Sequence, residues 1–299
     1  MNASGSGRKR IRPATDTSCA AATRRLLLEQ GRLIQHNVPA VIAGNPAALH
    51  DVRVAIRRLR TLLKIFRRML ESTPAKHLSR RLKKLTDTLS SYRDVDTQLR
   101  MLSSAPLRRL MVGSPGWSVF LKAQRMRQQS SKKRLTSFMQ SSAVQTLMED
   151  LGQFLKKDMA VLDQQQDEVL NRGIVKALRK SMQRVEERSR IPPTLPPGPA
   201  HALRIACRRT RYMGEFFGRQ MSPAIVALAR RMKSMQDLLG DLHDIDVHLQ
   251  HLATVRACPP KLVPEFRRRR KAIAVKFCSE WRAFITSRTR LEIGKQLGI

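Results

Sequence analysis

Residues 49–60 read LHDVRVAIRRLR and residues 201–211 read HALRIACRRTR, so one pattern, HxxRxxxRRxR, occurs twice in the chain. On a helix turning about 100° per residue, Arg53, Arg57, Arg60, Lys64 and Arg67 fall within a sector of about 80°. Val52, Ala55, Leu59, Leu62, Leu63, Phe66 and Leu70 fall on the opposite side. That division predicts a helix with one apolar and one cationic face. In the second copy Arg204, Arg208 and Arg211 repeat the stripe, with Glu215 where the first copy has Lys64.

A second pair of segments follows in the same order. Residues 85–96 read LTDTLSSYRDVD and residues 235–246 read MQDLLGDLHDID; His201 lies 151 positions after His50, and Asp246 lies 150 after Asp96. Two motifs at nearly one offset predict an internal duplication of helical units. Strand signals are weak throughout, because Leu, Arg, Ala, Lys, Gln and Met fill the long segments. The expected fold class is therefore all-α, built from duplicated helical units.

A first helix is expected after a cap at Asp16, Thr17 or Ser18, running toward Gly44 with a break near Pro39. Asn45 as N-cap and Pro46 in the first helical position open a second, expected to reach about Leu70 before Pro74 stops it. A third is expected from Lys76 to Leu102, a break at Pro115 and Gly116, and two or three helices between Trp117 and Arg190. Residues 191–199, IPPTLPPGP, read as a stiff non-helical connection. The expected organisation is a disordered basic tail over 1–18, a first repeat over 19–190, this linker over 191–199, and a second repeat over 200–299.

Among the 299 residues, 58 Lys and Arg stand against 23 Asp and Glu, a formal net charge of +35. Such an excess repels itself unless a polyanion neutralises it. Aromatic residues make up only 4%, which leaves few platforms for stacking bases and counts against a base-reading protein. Cys19, Cys207, Cys258 and Cys278 show no CxxC spacing, so neither a zinc site nor a disulfide framework is suggested. Arg24 and Arg25 interrupt the apolar stretch after Cys19, which argues against a secretory signal, and no apolar run is long enough for a bilayer. A soluble, cytoplasmic protein without a membrane partner is expected.

Guanidinium groups keep their charge and present forked donors matching phosphate oxygens, and spacings of three and four residues make a ladder for a repeating anion. A merely solvated helix face mixes charge signs, whereas this stripe has one sign and is doubled. His50 and His201 flank the two stripes near helix starts, where the dipole favours a neutral ring able to donate one hydrogen bond, to an anion or to a neighbouring helix. Asp94, Asp96, Asp244 and Asp246 can hold arginines in place or bind a divalent metal, and the first reading fits the surplus of cations better. The dipeptide His-Asp, found in metal phosphohydrolases, occurs at 50–51 and 243–244, in non-equivalent places and without further matching ligands. Arg80, Arg81, Lys83 and Lys84, with Arg230, Arg231 and Lys233 at matching places in the second half, add further positive charge; of these, Arg80, Lys83 and Lys84 can join the stripe if the two helices pack side by side. The run 267–271 fits a solvated patch as well as a defined site.

These segments resemble the CHAD family, the conserved histidine alpha-helical domain. LHDVRVAIRRLRTLLKIF and HALRIACRRTRYMGEFF look like its two histidine helices, LSSYRDVD like its Arg-Asp-x-Asp element and MQDLLGDLHDID like its Leu-Gly-x-x-x-Asp element. The resemblance runs from about Ala20 to Arg290. It implies an all-α fold of two pseudo-symmetric helical bundles around a basic central channel and binding of inorganic polyphosphate there. The implied contacts are Arg53, Arg57, Arg60, Lys64 and Lys83, with Arg204, Arg208, Arg211 and Lys233. Arg58 and Arg209 belong to the family's paired basic positions but point away from the stripe. The ExExK opening of the triphosphate-hydrolysing tunnel domain that often accompanies the family is absent from this sequence.

The expected function is non-enzymatic binding of inorganic polyphosphate, with polyphosphate granules as a destination. The site comprises His50, Arg53, Arg57, Arg60, Lys64, Arg80, Lys83, Lys84, His201, Arg204, Arg208, Arg211, Arg230 and Lys233, with no catalytic residue, metal or cofactor. The alternatives are charge-driven, non-specific binding of nucleic acid and a metal-dependent phosphohydrolase or phosphotransferase. The oligomeric state is left open.

Overall fold

The computed structural model describes residues 18–67, 70, 73–157, 167–255 and 258–298. Eleven α-helices and no strand occur among the described residues: α1 (Cys19–Ile42), α2 (Pro46–Ile65), α3 (Thr73–Leu102), α4 (Ala105–Leu110), α5 (Trp117–Met139), α6 (Ser142–Lys157), α7 (Asp167–Ser189), α8 (Pro197–Met221), α9 (Pro223–Leu252), α10 (Leu262–Ile285) and α11 (Arg288–Leu297). The protein is all-α. Among the described residues no helix is long and apolar enough to cross a membrane.

The caps follow the local sequence. Ser18 accepts from the Ala21 amide to open α1. The basic tail expected before it, with the alternative caps Asp16 and Thr17, lies outside the described residues. Asn45 Oδ1 accepts from the amides of Ala47 and Ala48 at 2.9 and 3.2 Å, and Pro46 takes the first position of α2, where its missing N–H costs no bond.

Three expectations are corrected. α1 runs through Pro39 unbroken, because a proline three residues from the helix end disturbs little and its carbonyl still accepts from Ala43 at 3.0 Å. α2 stops at Ile65, short of Leu70, where Phe66 turns into the core edge-on to Phe217 at 6.1 Å. Pro74 is not what stops α2, which ends at Ile65, but sits in the first turn of α3, a place proline favours. The proline-rich stretch is corrected as well. Pro197, Gly198 and Pro199 form the first turn of α8, and Leu195, at φ +47° and 1% exposed, is docked into the core.

The main core is continuous across that stretch. It takes Leu27 and Ile34 from α1, Ile56 and Leu59 from α2, Leu82 and Leu89 from α3, Phe154 from α6 and Leu178 from α7. It continues into Leu203 and Phe217 of α8, Leu228 and Met232 of α9, and Phe277 and Phe284 of α10. A smaller cluster joins α4 to the ends of α3, α5, α9 and α10 around Leu102, Leu107, Phe120, Leu252 and Phe266. α2 packs on α3 and α8 on α9, while α2 touches α8 and α3 touches α9. Both copies of each motif are thereby brought to one place.

Candidate anion-binding site

The apolar face of α2 is buried as its pattern requires: Val52, Ala55, Leu59, Leu62 and Leu63 are at most 5% exposed. α8 buries Leu203, Ala206, Cys207, Thr210 and Met213 in the same way. The cationic faces are left at the margin of this contact, where Arg53, Arg57, Arg60, Arg204, Arg208 and Arg211 are half-buried. Lys64 is exposed, and Arg67, expected on the same stripe, lies past the end of α2.

The two stripes face each other. Burial, and then the charges of Arg204 and Arg211, lower the pKa of Arg57. Arg208 is brought down to about 10 by burial and by Arg57, Arg204 and Arg211. Arg53 is likewise brought to about 10 by burial and by Arg57, with Asp94 opposing. Guanidinium groups hold their protons against almost any surroundings, so these shifts reflect first the burial of the cations and then their crowding. Several donors have no partner among the described residues: Nε of Arg53, Arg60 and Arg204, and one terminal nitrogen of Arg93. Unsatisfied buried charged donors are costly, and an anion would satisfy them.

Asp94 on α3 and Asp244 on α9 lie among the arginines, close enough for their charges to interact. Burial raises the pKa of each, Asp244 adds to the rise at Asp94, and Arg53, Arg93 and Arg204 act against it at both. Their charges act on the arginines around them rather than through a direct ion pair among the described residues. Asp96 instead pairs with Arg100 at 2.7 Å on its own helix, and Asp246 pairs with Arg270. Among the described residues no group of three or more His, Cys, Asp or Glu is placed to hold a metal.

His50 and His201 stand at the exposed edge of the cluster. Partial loss of hydration lowers the pKa of both; Arg57 and Arg53 add to this at His50, Asp51 opposing, and Arg204 and Arg208 add to it at His201. The rings are therefore neutral near pH 7, through desolvation and arginines in addition to any helix dipole. His201 lies 4.7 Å from the ring of His243, which takes the place that Arg93 has in the first copy. Burial, then Arg204 and His201, bring His243 down to about 4.

The remaining expected residues lie farther out. Lys83 and Lys233 are exposed and each pairs one turn along its helix, with Asp87 at 2.6 Å and Asp237 at 3.1 Å. Asp87 also acts on Arg60, which links Lys83 to the stripe. Arg80, Lys84 and Arg230 are exposed, and no hydrogen bond or ion pair among the described residues joins them to the cluster. Arg81 and Arg231 are structural, binding Asp150 and Glu280. Two residues of the cluster are not among those the stripes predict. Arg93 acts on both Asp94 and Asp244, and its place beside Asp94 in the repeated motif is the signal the sequence carries for it. Tyr212 is buried under Arg211 with its ring 4.8 Å from the guanidinium, and no sequence signal marks it.

Comparison with known proteins gives a match to the CHAD domain family over residues 25–253. No match is found among curated proteins. Among solved structures, the CHAD domain from the plant Ricinus communis is 24% identical with a TM-score of 0.66, covering 98% of this chain and 97% of that one. PptA from Streptomyces chartreusis is 15% identical with a TM-score of 0.66, covering 89% and 100%. Both likenesses are of fold.

Proposed function

Because the chain belongs to the CHAD domain family, whose known association is with polyphosphate, we propose that it binds inorganic polyphosphate at the meeting of α2 and α8, without cleaving it. One observation carries the reading: Arg57 is set among Arg204, Arg208 and Arg211, half-buried, with too few carboxylates to balance them. Asp94 and Asp244 are shared among Arg53, Arg93 and Arg204, and Glu215 between Arg58 and Arg211. A linear polymer of phosphates supplies what is missing, with one anionic group for each rung of the ladder and oxygens for forked donors. Arg53, Arg57, Arg60, Arg93, Arg204, Arg208 and Arg211 form the centre of this site. His50 and His201, neutral, donate at its edge; Lys64, Lys83 and Lys233 flank it, and Arg80, Lys84 and Arg230 add only long-range attraction. Such binding would place the protein in the cytoplasm, on polyphosphate granules.

Binding of long-chain polyphosphate should weaken with salt, with a log–log slope of about −0.7 per phosphate neutralised if single-strand behaviour transfers. Arg57→Glu with Arg208→Glu should abolish it while the helical content is kept. Unchanged binding in that variant sinks the assignment. Preference for duplex DNA over polyphosphate at equal phosphate concentration would transfer the site to nucleic acid instead, a reading the net charge of +35 alone would serve.

A further inference from the structure

Arg58 and Arg209 hold the same place in the two copies of HxxRxxxRRxR, and Lys64 and Glu215 each follow the last arginine of their copy by four residues. The structure pairs them crosswise. Arg58 donates to Glu215 Oε2 at 2.6 Å, with its guanidinium 5.5 Å from the ring of Phe216. On the other side, where α2 packs on both α7 and α8, the charge of Arg209 acts on Lys64, so the ion pair is replaced by two cations. α7 adds two more at this corner. Arg184 lies beside both Lys64 and Arg209, and Arg188 lies beside Arg209, fixed against α8 by a 3.0 Å bond from its Nη1 to the Ala202 carbonyl.

The neighbouring charges that shift Arg209 are those of Arg184 and Arg188, with no carboxylate among them. Glu186, on the same helix, is taken by Arg290. Arg209 and Arg184 are half-buried, while Lys64 and Arg188 are exposed. Four cations from three helices therefore converge on one open corner, whereas the corner equivalent by sequence is closed by a salt bridge. Lys64 also neighbours Arg60, so this corner continues the α2 stripe directly.

We propose that a polyphosphate chain seated on the α2–α8 arginines leaves the protein over this corner only, its outer phosphates held by Lys64, Arg184, Arg188 and Arg209, while the Arg58–Glu215 pair closes the opposite side. The proposal rests on the reading that those arginines bind polyphosphate. It makes the path one-sided and gives the protein a preference for chains long enough to reach α7.

The test is the salt dependence of binding of the full chain to tripolyphosphate and to long-chain polyphosphate. Arg184→Gln with Arg188→Gln should leave tripolyphosphate affinity unchanged and reduce the long-chain slope by about 1.4, for two contacts at about 0.7 each. A long-chain slope and affinity equal to wild type would overturn the exit path. Should that variant fail to fold, Lys64→Glu gives Arg209 the carboxylate that Arg58 has, and must weaken long-chain binding for the proposal to stand. Arg57→Glu, run alongside, separates the cases: if it too leaves long-chain binding intact, the parent reading has failed, not only the exit path.

Discussion

Asp246 on α9 accepts from Arg270 Nε on α10 at 2.6 Å, and the same guanidinium donates to the carbonyls of Thr194 and Leu195 at 2.8 and 2.5 Å. One arginine of the basic run at 267–271 thus ties two helices to the segment that enters α8. The aspartate side chain is 7% exposed and the arginine 18%, so removing either strands a buried charge. Arg270→Ala is expected to cost about 3–5 kcal/mol of stability in urea unfolding. Polyphosphate affinity of the folded fraction should not change, which a direct contact of Arg270 with the polymer would contradict.

Gly214 lies in the contact between α8 and α9. A Cβ there would meet the Ala229 Cβ at 2.8 Å and the Ile225 carbonyl oxygen at 3.0 Å. The obstacles are a Cβ fixed to its helix and helix backbone, and neither can swing aside. Gly214→Ala is expected to destabilise by about 1–3 kcal/mol despite the better helix propensity of alanine. Thermal unfolding measures it, and a stabilised variant would show that the two helices separate readily.

The halves of α2 and α8 were legible because burial follows period: every residue assigned to the apolar face of α2 is buried, Val52 through Leu63. The caps at Ser18 and Asn45 were legible for the same local reason. Where α2 stops was not, since Phe66 leaves the helix to meet Phe217, a contact 151 residues away. The fate of single charges was harder still. Asp96 and Asp246 hold equivalent places in the repeat, yet one pairs along its own helix and the other with α10. Which cation finds a carboxylate depends on which helix packs alongside, and a periodic pattern carries no record of that.

His248 should make the protein sensitive to acid. It is fully buried, edge-on to Phe266 at 4.4 Å, with neither ring nitrogen bonded among the described residues. Burial, aided by His251 and Arg127, brings it down to about 4 from an ordinary 6.5. Between those values the unfolded chain binds the proton and the folded chain does not, so stability is full above about pH 6.5 and falls as the pH drops toward 4. The loss is on the order of 2–3 kcal/mol. His243, also brought to about 4, should add to it, less strongly because it is more exposed. His248→Leu is expected to flatten the dependence and to raise the Tm at pH 5. Urea midpoints from pH 4 to 7 decide it, and an unaltered slope in the variant would assign the effect elsewhere.

Arg57 sets binding against stability. Its charge is pressed by burial and by Arg204 and Arg211, so the ligand-free fold carries a repulsion that a phosphate polymer relieves. Its Nε donates to the Arg53 carbonyl at 3.0 Å, a bond within its own helix. Methionine matches the arginine stem in length and brings no charge to bury. Arg57→Met is therefore expected to stabilise the ligand-free protein by about 1 kcal/mol at low salt, with the gain shrinking as added salt screens the wild-type cluster. Wild type should gain several degrees of Tm on adding polyphosphate through preferential binding to the folded state, and the variant should gain much less. Differential scanning calorimetry with and without polyphosphate separates the two effects. A variant less stable than wild type at low salt would mean that Arg57 contributes more through packing than it costs through repulsion.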